Sequence, residues 1–215
     1  MKTPDTELQE KNPVIDEYAR SAAIYDKKWS FYIDATACET MARVNLRPGD
    51  RVLDVGCGTG TLLSQLASSC PEARLSGIDL VPEMLAVARR RLPASIELRH
   101  GPAEHIPFDD GQFNVVVSCS MFHYIRNPVA ALREMQRVLQ PGGQLVITDW
   151  CDDYITCRIC DWYLRLFNRA HFRTYGRKDC LRLLEEAAFA EVQVDRFKIN
   201  WFWGLMTACA KKNVA

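Results

Sequence analysis

From Arg51 onward, short runs of β-branched and other apolar residues alternate with stretches whose apolar residues recur at helical spacing. Pro82 and Pro128 stand where two helices should begin, and Pro141-Gly142-Gly143 follows the second one. The alternation is typical of βαβ units and predicts an α/β fold, a doubly wound parallel sheet. The seven predicted strands are Arg51–Val55, Arg74–Ile78, Ile96–Arg99, Phe113–Ser118, Gln144–Asp149, Val192–Ile199 and Leu205–Ala210.

The first fifty residues have a different pattern. Residues Val14 to Met41 show amphipathic helical spacing and carry several aromatic side chains, among them Tyr18 and Tyr25. Arg47-Pro48-Gly49-Asp50 then has the composition of a turn. We therefore expect a helical cap over residues 1–50 and a core over residues 51–215, together forming one domain.

Composition and charge narrow the class of protein. The chain has 215 residues with 27 basic and 27 acidic side chains, so its formal net charge is zero, which disfavours polyanion binding. Its polar, acidic start resembles neither a signal nor a transit peptide, and no apolar run is long enough to span a bilayer. Nine scattered cysteines suit reduced thiols better than a disulfide framework. We expect a cytoplasmic protein without an integral membrane span.

A glycine-rich loop follows the first predicted strand. Gly56, Gly58 and Gly60 alternate in Asp54-Val55-Gly56-Cys57-Gly58-Thr59-Gly60, and Asp79 ends the second strand nineteen residues later. The spacing matches neither the dinucleotide fingerprint nor a phosphate-cradling P-loop. An acid at the end of the second strand suits the hydroxyls of a ribose, as in dinucleotide folds.

Further motifs complete a family resemblance. Two further segments accompany the glycine loop. One runs from His100 to Asn114 and includes Ala103-Glu104-His105-Ile106-Pro107-Phe108; the other is Val138-Leu139-Gln140-Pro141-Gly142-Gly143. Together they resemble the class I S-adenosylmethionine-dependent methyltransferases, in the small-molecule branch that contains the ubiquinone and menaquinone C-methyltransferases. The resemblance extends from about Tyr18 to Ala210 and implies a seven-stranded Rossmann-like sheet.

The resemblance also implies a cofactor, S-adenosyl-L-methionine, whose product is S-adenosyl-L-homocysteine. Asp79 would hold the ribose, Leu80 and Met84 would flank the adenine, and the Ala103 backbone would contact the adenine edge. One departure concerns Pro102, because the family usually has Asp or Asn there as a side-chain acceptor, and Glu104 is a candidate to compensate. The implied cofactor residues are Tyr18, Tyr25, Asp54, Gly56, Cys57, Gly58, Thr59, Gly60, Asp79, Leu80, Met84, Pro102, Ala103, Glu104 and Cys119.

Other residues are candidates for contact with the acceptor. His123 follows the fourth strand and Asp149 ends the fifth, so either is a candidate base, with a structural role as the alternative. His171, Trp150 and Tyr175 are candidate acceptor contacts, since twelve of the 21 aromatics lie between Trp150 and Trp203. Tyr18 and Tyr25 are expected to close over the site, the alternative being that their rings only dock the cap.

The pair Cys157 and Cys160 has the spacing of half a zinc site, but no second pair exists to complete four ligands. Two core thiols one helical turn apart are the simpler interpretation, and we predict no metal. A redox role, or binding of a thiol or a metalloid, stays open.

The function predicted from these observations is methyl transfer to a small, apolar or aromatic acceptor. The alternatives are a methyltransferase for a protein side chain, a thiol or a metalloid, and a protein that binds the cofactor without catalysis. Nucleic acid is disfavoured as a partner because Ser118-Cys119-Ser120-Met121 lacks the motif of amino-DNA methyltransferases. The oligomeric state and the methylated element, C, O, N or S, are not predicted.

Overall fold

The computed structural model describes residues 12–214, which form a seven-stranded sheet between helices. The strands are β1 Arg51–Val55, β2 Arg74–Asp79, β3 Glu97–His100, β4 Phe113–Cys119, β5 Leu139–Trp150, β6 Phe189–Lys198 and β7 Gly204–Lys212. The helices are α1 Pro13–Ser21, α2 Tyr25–Met41, α3 Thr61–Ser69, α4 Pro82–Arg91, α5 Pro128–Val138, α6 Ile155–Phe167 and α7 Arg177–Glu186. A short 3₁₀ helix, Phe122–Tyr124, follows β4.

The strand order is β3-β2-β1-β4-β5-β7-β6. Neighbours from β3 to β5 pair in parallel, whereas β7 is antiparallel to both β5 and β6. The order reverses between β1 and β4, so the crevice at their carboxyl ends is where this architecture binds ligands. The predicted doubly wound α/β fold is confirmed, with one antiparallel strand in an otherwise parallel pattern.

Several strands are longer than the apolar pattern predicted, among them β5, β6 and β7. β5 begins at Leu139, because Leu139 pairs with Phe113 on the other side of an irregularity in β4. β6 begins at Phe189, which pairs with Lys212 beyond a register shift between Ala190 and Gln193. The partner strand, rather than the local sequence, decides both extensions.

The two helices of the predicted cap differ in burial. α1 has no buried residue, whereas α2 buries Tyr32, Thr36, Ala37 and Thr40. The Thr40 hydroxyl donates to the Thr148 hydroxyl of β5 at 2.7 Å. α2 therefore also belongs to the helical layer that covers the sheet, and α1 is the outer part of the cap. The domain boundary at residue 50 stays a prediction, and residues 1–11 of the cap lie outside the described residues.

Cys157 and Cys160 both lie on α6, but Cys157 is buried whereas Cys160 is partly exposed. The Cys157 sulfur lies 3.2 Å from both the amide nitrogen and the carbonyl oxygen of Gly204 on β7. Within residues 12–214, no group of three or more His, Cys, Asp or Glu side chains could hold a metal ion.

We expect metal analysis of the purified protein to find far less than one zinc ion per chain, because two thiols do not complete a tetrahedral site. Replacement of both Cys157 and Cys160 by serine should leave that metal content unchanged. One bound ion per chain, lost in the double variant, would show that the thiols are ligands.

Candidate active site

A cavity of about 640 Å³ opens at the carboxyl ends of β1, β2 and β4. The glycine loop, the segment after β3 and residues of α1 and α2 form its walls. Of the residues implied as cofactor contacts, the following line it: Tyr18, Tyr25, Asp54, Gly56, Cys57, Gly58, Thr59, Asp79, Leu80, Met84, Pro102, Ala103, Glu104 and Cys119. Gly60 lies beside the cavity, at the start of α3.

The glycine loop needs its glycines for two separate reasons. Gly56 has φ +79°, and a Cβ at this position would lie 2.5 Å from the Met121 side chain. Gly60 has φ +80° and packs against Leu92, which a Cβ would approach to 2.7 Å. Both residues adopt left-handed backbone conformations that side chains disfavour. At Gly58, in contrast, a Cβ would meet no described atom within 4 Å, so the backbone there faces open space.

Asp79 connects the end of β2 to the glycine loop. Its Oδ2 accepts the Gly58 N–H at 2.8 Å, and its Oδ1 accepts the Val81 N–H at 2.8 Å. Burial raises the pKa of this carboxyl, while the two backbone donors lower it. A carboxylate has about four acceptor sites, so Asp79 can still accept bonds from ligand hydroxyls.

Asp54, near the end of β1, is only 2% exposed. Its Oδ1 is one of three buried side-chain polar atoms without a hydrogen-bond partner among the described residues. Burial, and then the neighbouring Asp79 charge, raise the pKa of Asp54 to about 8. A buried carboxyl without a partner is costly unless a ligand supplies a donor or a positive charge.

A polar network braces the outer side of the glycine loop. The Thr59 hydroxyl donates to Asp26 of α2 at 2.6 Å. Arg91, the last residue of α4, donates to the Thr59 carbonyl at 3.1 Å and to the Thr61 hydroxyl at 2.5 Å, and it pairs with Asp26. Asp26 and Arg91 therefore tie α2 and α4 to the loop.

Tyrosines line another part of the cavity wall, where Tyr18 and Tyr25 pack against Val81 and Met84, just after Asp79. The Tyr18 and Tyr124 hydroxyl oxygens are 2.5 Å apart, and the Tyr25 ring packs edge-on against Tyr18. Tyr32 also lines the cavity and accepts a hydrogen bond from Trp150 Nε1 at 2.6 Å. Burial raises the pKa of Tyr18, Tyr25 and Tyr124, so these phenols are neutral at physiological pH.

The candidate bases His123 and Asp149 form a buried pair that does not belong to the cavity wall among the described residues. Their exposures are 4% and 2%, and His123 Nδ1 lies 2.6 Å from Asp149 Oδ1. The His123 amide also donates to Asp149 Oδ2 at 3.0 Å. The pair fixes the 3₁₀ turn against β5, and this geometry corresponds to the structural alternative. Their catalytic role stays a prediction.

The candidate acceptor contacts His171, Trp150 and Tyr175 are likewise absent from the wall formed by the described residues. His171 Nε2 lies 2.8 Å from Asp161 Oδ1, and the Tyr175 ring packs on Phe122. Trp150 stacks on His123 and reaches the cavity only through its hydrogen bond to Tyr32. The segment that carries these residues packs behind the tyrosine wall, and their proposed contacts with the acceptor remain untested.

Sequence reasoning missed two kinds of residue at this site. Tyr124 lines the cavity although its neighbour His123 was the candidate. Successive residues of a 3₁₀ turn point about 120° apart, so the fold decides which of the two faces the ligand. Arg91 ends a run of three arginines in the last turn of α4, a pattern that by itself predicts a solvated face beside the helix dipole. No local signal distinguishes the arginine that reaches Asp26.

Comparison with known proteins agrees with this geometry. Residues 53–147 match the family model described as a methyltransferase domain. A demethylmenaquinone methyltransferase of Bacillus cytotoxicus is 28% identical over 184 residues, which cover 74% of this chain and 78% of that protein. Another, from Listeria welshimeri, is 36% identical over 63% of this chain and 57% of that protein. The chain spans only 38% to 45% of several other curated relatives that it matches.

Solved structures agree on the fold. A chain in the complex between the Haloferax volcanii Trm112 methyltransferase activator and a methyltransferase has a TM-score of 0.82 at 21% identity. The match covers 92% of this chain and 98% of that one. The chain thus contains a methyltransferase domain over residues 53–147, and this match, the glycine loop with Asp79 and the order of the sheet support a class I S-adenosylmethionine-dependent methyltransferase that resembles the menaquinone C-methyltransferases.

Proposed function

We propose that the protein transfers the methyl group of S-adenosylmethionine to a small, apolar or aromatic acceptor. The observation that carries this proposal is the lining of the cavity. One continuous cavity is lined both by the buried carboxyls Asp54 and Asp79 and by neutral tyrosines. An acidic wall suits a ribose, and an aromatic wall suits an apolar molecule that must lie beside it.

The cofactor end fits S-adenosylmethionine in four respects. The free space beside Gly58 leaves room for a ligand against the backbone, and Asp79 has unused acceptor capacity for ribose hydroxyls. The unpartnered Asp54 oxygen suits the positive charge of the methionine portion. Leu80, Met84 and Ala103 offer apolar contacts to the adenine. When bound, S-adenosylmethionine supplies an electrophilic methyl group on a sulfonium.

At the acceptor end, the protein contributes orientation and exclusion of water. Tyr18, Tyr25 and Tyr124 present neutral hydroxyls that can hold a polar group of the acceptor, and their rings shield the space from solvent. Because their raised pKa values keep these phenols protonated, they present no phenolate that could act as a base. We therefore favour an acceptor whose nucleophilic atom needs no strong base from this wall, and whose productive position the aromatic side chains impose.

Labelled methyl transfer tests the proposal. Purified protein would be incubated with S-adenosylmethionine carrying an isotopic methyl group and with separate sets of phenols, quinones, thiols, amines and a metalloid oxyanion. Mass spectrometry should detect the label on one class of small molecule. An Asp79→Ala variant is the control for contaminating activity. Label on protein, on a metalloid, or on no acceptor in any set would contradict the proposal.

The pKa of Asp54 predicts a pH-dependent affinity for the cofactor. Because this pKa is about 8, the carboxyl is protonated at pH 6 to 7 and must release its proton to face a positive charge. The affinity should rise with pH up to about 8, by at most about tenfold per pH unit. Calorimetry at several pH values, in two buffers of different ionisation enthalpy, would measure both the affinity and the released proton.

An Asp54→Asn variant provides the matched control, since it retains the shape but cannot titrate. Any pH dependence of the affinity left in this variant belongs to the ligand or to other groups.

The stability of the protein should also depend on pH through Asp54. The folded protein binds the Asp54 proton more tightly than the unfolded chain, so the contribution of Asp54 to stability is lost as the pH rises from about 4 towards about 8. Asp54→Asn should therefore flatten that decline. If the affinity for the cofactor depended on pH equally in the wild type and in Asp54→Asn, Asp54 would not belong to the cofactor site.

A further inference from the structure

Helix α6 is apolar on the side that faces outward. Surface helices usually turn charged or polar residues to solvent and bury their apolar stripe. Here the outward side chains are between 55% and 71% exposed. They are Ile155, Ile159, Trp162, Tyr163, Leu166 and Phe167, and we call them the α6 face.

The orientation of α6 is fixed by contacts on its inner side. The Cys157 sulfur accepts a hydrogen bond from the Gly204 amide. The buried Asp161 accepts hydrogen bonds from His171 and, at 2.6 Å, from the Thr174 amide. At about 100° per residue, Ile155, Ile159, Trp162 and Leu166 fall within about 60° of one another, opposite this inner side. The α6 face is therefore turned outward by the fold.

A neighbouring loop adds to the α6 face. Trp201 is 80% exposed and lies between β6 and β7. Phe202, which follows Trp201, accepts a hydrogen bond at its carbonyl from the Thr156 hydroxyl at 2.6 Å. This bond holds the loop against the first turn of α6. Two exposed tryptophans thus stand on adjacent elements.

The same region carries a modest net positive charge in a neutral chain. Residues 152–179 contain five arginines and one lysine against four acids, so their net charge is +2, and Arg173 pairs with Asp179, while the whole chain has a net charge of zero. Asp161 is buried, is hydrogen-bonded to His171 and lies 3.8 Å from the Arg165 guanidinium. Arg158 and Arg165 are exposed on one flank of α6, seven residues apart and therefore on the same side of the helix.

We propose that the α6 face docks on the interface of an anionic lipid bilayer. Isoleucine, leucine and phenylalanine side chains would enter the acyl boundary, while tryptophan and tyrosine suit the headgroup level. Arg158 and Arg165 would lie against lipid phosphates. A symmetric contact between two copies fits less well, because it would bring two regions of net positive charge together. No helix within residues 12–214 is long and apolar enough to cross a membrane, so the contact is with the surface.

The docking surface lies next to the proposed acceptor site. Asn168, directly after α6, donates to Glu17 of α1 at 3.3 Å, and α1 contributes Val14, Ile15 and Tyr18 to the cavity wall. Docking would bring this wall close to the lipid surface, where an apolar acceptor concentrates. This last step rests on the proposed methyl transfer, whereas binding to the bilayer does not.

Vesicle flotation of the full chain, without cofactor, tests the docking. We expect binding to vesicles of phosphatidylcholine with about one third phosphatidylglycerol and much weaker binding to pure phosphatidylcholine. The double variant Trp162→Glu/Leu166→Glu should lose at least about 100-fold in its affinity for the anionic vesicles. Arg158→Gln/Arg165→Gln should lose about 30-fold on anionic vesicles only. High salt should reduce wild-type binding in the same sense.

Phe31→Glu is the matched control, since Phe31 is 51% exposed on α2, outside the α6 face, and this variant should bind like the wild type. Far-UV circular dichroism verifies that each variant is folded. Absence of vesicle binding, equal binding by Trp162→Glu/Leu166→Glu, or a concentration-dependent dimer in ultracentrifugation that this double variant abolishes would overturn the proposal. Methyl transfer to a water-soluble acceptor is measured separately, so failure of one proposal does not hide the outcome of the other.

Discussion

A chain lacking residues 1–22 should remain folded but transfer methyl groups about 100-fold more slowly or worse. α1 has no buried residue, and Ala22 is the one buried described residue that the deletion removes, so the sheet and α2 keep their own packing. It does remove Val14, Ile15 and Tyr18 from the cavity wall, together with the hydroxyl partner of Tyr124. Water would then enter the site, and the acceptor would lose part of its positioning surface; misplacement by about 1 Å can cost about 100-fold in rate.

The measurement is the rate of label transfer, with circular dichroism and thermal unfolding as tests of folding. Asp16→Ala/Arg20→Ala is the matched control, because both side chains are exposed on the same helix and neither lines the cavity. This variant should retain the full rate. If the truncated chain were folded and nearly as fast as the full chain, α1 would have no part in closing the site, and its aromatic rings would only dock the helix.

Asp79→Ala should weaken binding of S-adenosylmethionine by about 1–3 kcal/mol, or roughly 5- to 150-fold, because ribose hydroxyls lose a charged acceptor. The structure adds a second reason. The same carboxylate holds the Gly58 and Val81 amides, so its removal also loosens the loop that faces the ligand. Part of the loss should therefore appear as changed loop geometry rather than as a lost ligand contact.

Isothermal calorimetry on Asp79→Ala and Asp79→Asn separates these two contributions. Asparagine retains one oxygen acceptor but no charge, so the Asn variant should bind with an affinity between those of the wild type and the Ala variant. Glu83→Ala, an exposed acid at the start of α4, should bind like the wild type. Unchanged affinity in Asp79→Ala would exclude Asp79 from the cofactor site.

Sequence and structure agree most closely where a local pattern carries the information. β1 has the predicted limits, since its apolar residues are buried and the glycine loop ends it. Asp79 lies beside Gly58 because parallel strands align their carboxyl ends at one edge. β5 and β6 exceed their predicted limits because the additional residues pair with distant strand partners that no local window contains.

The sequence by itself determined the doubly wound fold, the glycine loop, Asp79 and the tyrosines of the cap, since periodicity and loop chemistry act over a few neighbouring residues. Only the tertiary structure decided that Tyr124 faces the cavity while His123 is buried with Asp149, and that Arg91 reaches Asp26. It also decided which stripe of α6 is buried, because bonds from Gly204 and His171 hold the polar side inward. An amphipathic pattern defines two faces of a helix, but the packing of distant elements determines which of them meets solvent.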